Sequence, residues 1–515
     1  TLILIFWLNP RYTTKIMNKI VFFIFLTLCC LPLFLHLDVA PLHLWDESRQ
    51  AVNALEMLEN GNWLVTHYQG EPDLWNTKPP LLIWLQVLCF KIFGVGVLGV
   101  RLPSALAGLA TTLLLFFFCK NYLKNQLLGF CSALVLLTTQ GFISNHVTRT
   151  GDYDSLLTLW TTLTVFLFFA WINSTHPRQK KKLIYASALS VTAAVMTKSI
   201  MGFVLLPPLL LFLIWKKQIR VLFTSPHFYG AVSIFLTIVL GYYFLRENQN
   251  PGYLEAVLEN DIRGRYFETQ EGNNRSTFFH MRKIYEERFV PWLYFLPLGF
   301  LATFFAKQTT KEFVRLLFFS GAFFLLVISF SKTNLIWYDV PLLPLFAVVV
   351  GLGIEQIIRI AFDYFSKEKN SFRFSKFILA GVIGLAIFGN PYFKRISDSY
   401  TFNKLWLTPE RELFEGFMHR SIPLEYNILH WDINGQVVFL QKLYRRKGFD
   451  IKVREINQLQ NDDSFKFVES TMDFEIGEKV MMCESNVKGE INKRYDYEQI
   501  NNWSECQLIK IISKK

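Results

Sequence analysis

The chain has 515 residues, of which 52% are hydrophobic, 16% aromatic and only 18% charged, against about 25% charged in soluble domains. Stretches such as "KIVFFIFLTLCCLPLFLHL" and "VSIFLTIVLGYYFL" reach or approach the roughly 20 apolar residues that cross a bilayer, which excludes a soluble globular protein. The net charge of +12 does not point to nucleic acid, because much of the basic excess lies in short loops between apolar runs, where the positive-inside bias puts Lys and Arg.

In chain order, Met17 opens "MNKIVFFIF" like a natural start, so residues 1–16 read as an upstream extension. With no small-residue cleavage site after it, the first apolar run reads as a retained helix. Five short basic loops set the inside: "CKNYLKNQ" (119–126), "HPRQKKK" (176–182), "KKQIR" (216–220), "KQTTKEFVR" (307–315) and the segment from Arg359 to Lys376. Placing them in the cytoplasm predicts spans at about 20–37, 98–118, 127–144, 155–172, 183–197, 201–215, 228–245, 290–306, 313–330, 339–358 and 377–390. The short run "PPLLIWLQVLCFKIF" (79–93) would invert this order as a span, and it reads as an interfacial or re-entrant helix on the outer side. The fold class is therefore an α-helical polytopic membrane protein with about 11–13 transmembrane helices and outer-face juxtamembrane helices. The membrane domain covers residues 17–390, with its first outer loop at 38–97. Residues 391–515 form a small extracytoplasmic α/β domain, in which Cys483 and Cys506 are able to pair in an oxidising compartment. The other five cysteines lie in or beside apolar runs as packing residues.

The outer segments carry carboxylates and isolated cations at the ends of spans. "LWDESRQAV" (44–52) holds Asp46 and Glu47, and "SRQAVNALEMLENG" reads as a short helix with Ala51, Ala54, Leu55 and Leu58 on one face and a stop at Asn60-Gly61. Asp46 or Ser48 would cap that helix, a role compatible with catalysis because the positive helix end favours an ionised base. Lys78 precedes a Pro-Pro turn and is read either as a snorkelling residue or as a ligand group. Asp152 and Asp154 in "RTGDYDS" stand at the start of a helix. Lys198 sits alone between two apolar runs, where an unpaired charge is costly and function is the default reading. Arg263 and Arg265 in "DIRGRYF", and Lys332 and Tyr338 in "SKTNLIWYD", complete the set. A base at the membrane face surrounded by cations suits a lipid-linked phosphate as leaving group, which needs positive charge more than a general acid.

The order of these motifs, with "TKPPL", "RLPSALAG" and "SKTNLIWYDVPLLP", resembles the GT-C membrane glycosyltransferases that use polyprenyl-phosphate sugars, in particular the aminoarabinose transferases of lipid A and the protein O-mannosyltransferases. The resemblance covers roughly residues 20–390. It implies that Asp46 is the essential acid of the first outer loop, with Glu47 beside it and a second acidic site at Asp152 or Asp154. It also implies that Lys78, Lys198, Tyr338 and either Arg263 or Arg265 contact donor phosphate, with Lys332 in the same tip. "NLIWYDVPLLP" departs from the more usual pattern around that tyrosine. The implied reaction is inverting transfer of a sugar from undecaprenyl phosphate to lipid A, another glycan or a protein, on the periplasmic face of a bacterial inner membrane. The expected partners are that donor, the acceptor and membrane lipids, with no required cofactor or metal. The rival reading is a transporter or flippase of lipid-linked sugars, which predicts charges near the midplane and repeated halves rather than charges at span ends.

Overall fold

The computed structural model describes residues 15–43, 45–267, 275–366, 382–401, 427–431, 435–446, 452–456, 473–483, 485–503 and 506–515. The described residues fall into two compact units, one from Thr1–Leu37, Leu74–Leu85 and Arg101–Ser399, the other from Asp38–Asp73, Gln86–Val100 and Tyr400–Lys515.

The first unit is helical. Its principal helices are α1 (Lys15–Phe34), α4 (Val97–Phe117), α5 (Gln126–Thr138), α6 (Tyr153–Asn173), α7 (Pro177–Lys198), α8 (Leu206–Trp215), α9 (Pro226–Gln249), α10 (Gln308–Ser329) and α11 (Leu343–Ser366); α2 and α3 are given below. Among the described residues six helices are long and apolar enough to cross a membrane, and a bent pair, Phe279–Arg288 with Trp292–Phe305, makes up to seven. The runs expected to span near 127–144 and 201–215 are α5 and α8, of 13 and 10 residues, short of the roughly 20 that a bilayer requires. Helix α5 stops because Thr139 turns extended. Helix α8 starts late because Pro207 and Pro208 occupy its first turn, where proline lacks nothing it needs. The surface helix expected at 79–93 is α3 (Leu81–Phe93), 13 residues long. The expected span at 377–390 begins outside the described residues.

Phenylalanines and small residues pack this unit. Phe25, Phe116 and Phe130 meet with centroids 4.8–5.0 Å apart. A Cβ on Gly299 would lie 2.1 Å from the Val349 carbonyl, so only glycine lets helix Leu296–Ala302 approach α11 this closely. Helical hydroxyls are satisfied within the bundle: Thr164 on α6 donates to Ser190 on α7, which donates to the Trp160 carbonyl. Two buried arginines, missed at the level of sequence, close the end of α1. Arg149 donates to the Leu33 and Leu35 carbonyls at 3.0 and 2.7 Å, and Arg101 to that of Leu37 at 2.9 Å. These are acceptors that a helix C-terminus leaves without partners.

The second unit contains α2 (Asp46–Asn60), the short hairpin β1 (His67–Tyr68) and β2 (Glu71–Pro72), and a five-stranded sheet. Its strands are β3 (Asn427–Trp431), β4 (Lys452–Ile456), β5 (Lys479–Met482), β6 (Tyr495–Trp503) and β7 (Cys506–Lys514), in the order β4-β3-β5-β7-β6. The β3 strand runs parallel to both of its neighbours, and β5, β7 and β6 are antiparallel. Helices α13 (Gly435–Arg445) and α14 (Ser485–Arg494) complete it; α12 is Asn390–Thr401, of which residues up to Ser399 belong to the first unit. Val480, Met482, Val487, Ile491, Ile509 and Ile511 form a core, and Cys483 is disulfide-bonded to Cys506. The α/β character expected for the C-terminal region holds. This unit also takes in part of the first outer loop, a merger that sequence reading did not foresee.

Candidate active site

In the second unit α2 begins at Asp46, which is the first helical residue; Trp45, with a φ of 68°, is the N-cap position and makes no side-chain cap bond. The expectation that Asp46 or Ser48 caps the helix is thus corrected. Glu47 satisfies the backbone locally, its Oε2 accepting from the His43 amide at 2.6 Å, and Ser48 donates to the Trp45 carbonyl. The stop at Gly61 is as expected, with a left-handed φ of 71° and its amide bonded to the Met57 carbonyl.

On this helix the polar residues Glu47, Ser48, Gln50, Asn53 and Glu56 are all buried. The reason is a set of distant partners. Arg49 holds Asp73 through two bonds of 2.9 and 2.8 Å, Asn53 donates to the same carboxylate at 2.9 Å, and Lys442 on α13 lies 2.9 Å from Glu56. At the first turn of α2, Gly435 approaches so closely that a Cβ would lie 2.7 Å from the Ser48 hydroxyl. The turn that carries Asp46 is therefore held by the C-terminal sheet domain.

In the first unit the sequence motifs converge on a cavity of about 430 Å³, bounded by Lys78, Lys198, Asp261, Ser331 and Tyr338 at its polar part. The remaining wall is apolar, from Ile200 through Pro207 and from Phe323 through Ile328. Lys198 ends α7 because Ser199 takes a positive φ of 47° and the chain turns. Gly202 allows that turn, since a Cβ there would sit 2.5 Å from the Val195 nitrogen. The buried Lys198 ammonium donates to Asp154 at 2.6 Å and stands 5.3 Å from the centre of the Tyr338 ring.

Lys78 follows two anchored residues. Asn76 donates to the Tyr153 hydroxyl at 2.9 Å, the Thr77 hydroxyl donates to Asp261 at 3.3 Å, and the Thr77 carbonyl accepts from Tyr253 at 2.7 Å. Burial holds the Tyr253 pKa well above the usual tyrosine value, so that hydroxyl stays a donor. The Lys78 ammonium is 5.6 Å from the Tyr153 ring centre.

Of the expected donor-site residues, Lys78, Lys198 and Tyr338 line this cavity, with Asp154 one bond behind Lys198. Asp152 faces elsewhere: it accepts from Thr150 and lies 3.7 Å from His146, whose ring stacks on Trp337 at 3.7 Å. His146 and Asp152 are residues of a kind that ligate divalent metals. Lys332 is exposed, and its neighbour Ser331 takes the place on the wall. Arg263 is exposed and is not among the lining residues; the side chain of Arg265 lies outside the described residues. Asp46 and Glu47 belong to the second unit. Sequence reasoning missed Asp261 and Tyr253. Asp261 was hidden in a charge-rich loop, where its partner Thr77, 184 residues away, gave no local signal.

The helical architecture has the fold type of the GT-C membrane proteins. Residues 77–243 match the family described as dolichyl-phosphate-mannose-protein mannosyltransferase. The chain is 27% identical over 263 residues to the undecaprenyl phosphate-alpha-4-amino-4-deoxy-L-arabinose arabinosyl transferase of Pseudomonas savastanoi pv. phaseolicola, covering 50% of this chain and 44% of that one. The first curated relatives are matched over 44% to 66% of their own length. Its fold is similar to ArnT from Cupriavidus metallidurans bound to undecaprenyl phosphate, with a TM-score of 0.74 at 15% identity, over 95% of this chain and 97% of the other. It is also similar to the Archaeoglobus fulgidus oligosaccharyltransferase, with a TM-score of 0.58 at 11% identity, over 86% and 65% of the two chains. The chain is a multi-pass membrane protein that resembles the aminoarabinose and protein O-mannosyl transferases.

Proposed function

We propose that this protein transfers a sugar from a polyprenyl phosphate to an envelope acceptor at the outer face of a bacterial inner membrane. The observation that carries the reading is the 430 Å³ cavity, which joins an apolar wall suited to a prenyl chain to two lysines suited to its phosphate. Lys78 and Lys198 bind the phosphate and stabilise the negative charge that grows on it as its bond to the sugar breaks. Asp154 orients Lys198, and Tyr338 closes the same wall.

In the proposed reaction an acceptor hydroxyl or amine attacks the anomeric carbon, and its proton passes to Asp46. The bond from that carbon to the phosphate oxygen breaks, and the lipid phosphate leaves with the electron pair. A single displacement inverts the anomeric centre through an oxocarbenium-like transition state. Glu47, held on the His43 amide, fixes the turn that carries Asp46. No metal or cofactor takes part in this scheme. The acceptor is lipid A, another glycan or a protein. The Cys483–Cys506 disulfide fits an oxidising compartment outside the cytoplasm.

The test uses the purified full chain in lipid nanodiscs with undecaprenyl-phosphate-linked sugar and an envelope extract as acceptor source. Asp46→Asn is expected to reduce transfer by about a thousandfold, within the range of a lost general base, while donor binding is kept. Transfer at an unchanged rate removes Asp46 as the base. Donor binding without transfer in the unaltered protein favours the transporter or flippase reading instead.

A further inference from the structure

Asp261 is the residue of the cavity for which the phosphate reading has no use. Asp261 lies on the lining with Lys78, Lys198 and Tyr338, and is only 8% exposed. One carboxylate oxygen accepts from Thr77 at 3.3 Å. The other, Oδ2, is buried and has no hydrogen-bond partner among the described residues. A buried carboxylate oxygen without a donor is costly, and such groups are found paired in native proteins.

The charges of the cavity say what that partner is not. Lys198 is already balanced by Asp154 at 2.6 Å. A second carboxylate on the wall repels a phosphate group and weakens its binding. Asp261 must therefore meet a part of the ligand that donates hydrogen bonds. A prenyl chain has no donors, and neither does a phosphodiester. The sugar is the part that has them.

We infer that Asp261 is a specificity-determining residue, whose unpartnered carboxylate oxygen accepts a hydrogen bond from a hydroxyl or ammonium group on the donor sugar. This rests on the reading of the cavity as the donor site. It assigns the two walls different tasks: the lysines hold the phosphate common to all polyprenyl-phosphate donors, and Asp261 senses whether a sugar is attached and what it carries. Because a carboxylate accepts from both hydroxyls and ammonium groups, the same position admits a neutral or an amino sugar. Thr77 fixes the carboxylate, since its hydroxyl occupies the other oxygen and its carbonyl is held by Tyr253.

The experiment compares two ligands on the full chain in nanodiscs: undecaprenyl phosphate without sugar, and undecaprenyl phosphate carrying mannose or 4-amino-4-deoxy-arabinose. For Asp261→Ala the sugar-bearing ligand that the unaltered protein prefers should bind roughly ten- to a hundredfold more weakly, as expected for one lost charge-assisted bond. Binding of undecaprenyl phosphate alone should be unchanged or tighter. Asp261→Asn keeps a neutral acceptor; near-full retention then assigns a hydroxyl partner, and loss as great as with alanine assigns an ammonium. Thr77→Val, which frees the carboxylate without removing it, should weaken sugar-bearing ligands only a few-fold. Equal loss for both ligand types, or no loss for the sugar-bearing one, overturns the assignment while leaving the donor site intact. If the unaltered protein binds no undecaprenyl phosphate, the donor-site reading itself falls, and this inference with it.

Discussion

Two buried cations of the helical unit, Arg288 and Lys198, are each paired with an aspartate, and they are held in different ways. Arg288 grips the fully buried Asp339 through Nε, 2.8 Å from each carboxylate oxygen, and through Nη2 at 2.6 Å. The same Nη2 donates to the Gly141 carbonyl, and the Gly141 amide donates back to the Arg288 carbonyl at 2.8 Å. Lys198, on the cavity wall, gives one hydrogen bond among the described residues, to Asp154, although an ammonium carries three donors. The guanidinium is anchored on two chain segments at once, and the ammonium has donors to spare for a ligand. Both pairs serve the same wall, because Asp339 directly follows Tyr338, whose ring faces Lys198. The first pair is scaffold, and the second is the pair to which the proposed function gives the donor phosphate.

This contrast makes measurable demands, of which the heaviest falls on Asp339. Asp339→Ala leaves Arg288 buried without its counter-charge and should cost about 3–5 kcal/mol, read as a lowered midpoint in detergent denaturation. Replacing both partners with apolar residues of similar volume should recover much of that loss. Lys198→Ala should fall mainly on binding, weakening that of undecaprenyl phosphate by roughly ten- to a hundredfold in titration, with a smaller loss of stability than Asp339→Ala. An equal stability loss for the two would erase the distinction. Gly141→Ala brings a Cβ within 3.0 Å of the Arg288 carbonyl oxygen; as overpacking it should cost about 1–3 kcal/mol and shift the melting temperature without changing substrate preference. Thr77→Val removes one hydroxyl donor and should lower stability by about 1 kcal/mol, detectable as a small melting shift.

Much of the membrane bundle was legible in the sequence, because a spanning helix needs a long apolar run and announces it. The helices α4, α6, α7, α9, α10 and α11 lie where hydropathy put them. The shortness of α5 and α8 was not legible, since the apolar runs extend past Thr139, where α5 stops, and begin before the Pro207-Pro208 pair, in whose turn α8 starts. Lys78, Lys198 and Tyr338, which all line the cavity, stand out in the sequence because an isolated charge or hydroxyl near the end of an apolar run is conspicuous. Asp261 was not found, because a charged residue among other charged residues is not. Asp154 stood out as a carboxylate at a helix start, but its 2.6 Å contact with Lys198 joins residues 44 apart and had no local signal.

By itself the sequence determined that the chain is helical and membrane-embedded, and it fixed which cations stand at the ends of spans, for these properties depend on the composition of continuous segments. The tertiary structure decided which of those residues share a cavity, that Asp152 and Asp154 part ways, and that the helix bearing Asp46 is packed against α13. Each of these depends on contacts between residues far apart in the chain, such as Thr77 with Asp261 or Glu56 with Lys442. No local pattern encodes such pairs. They arise only when burial forces each polar group to find a partner.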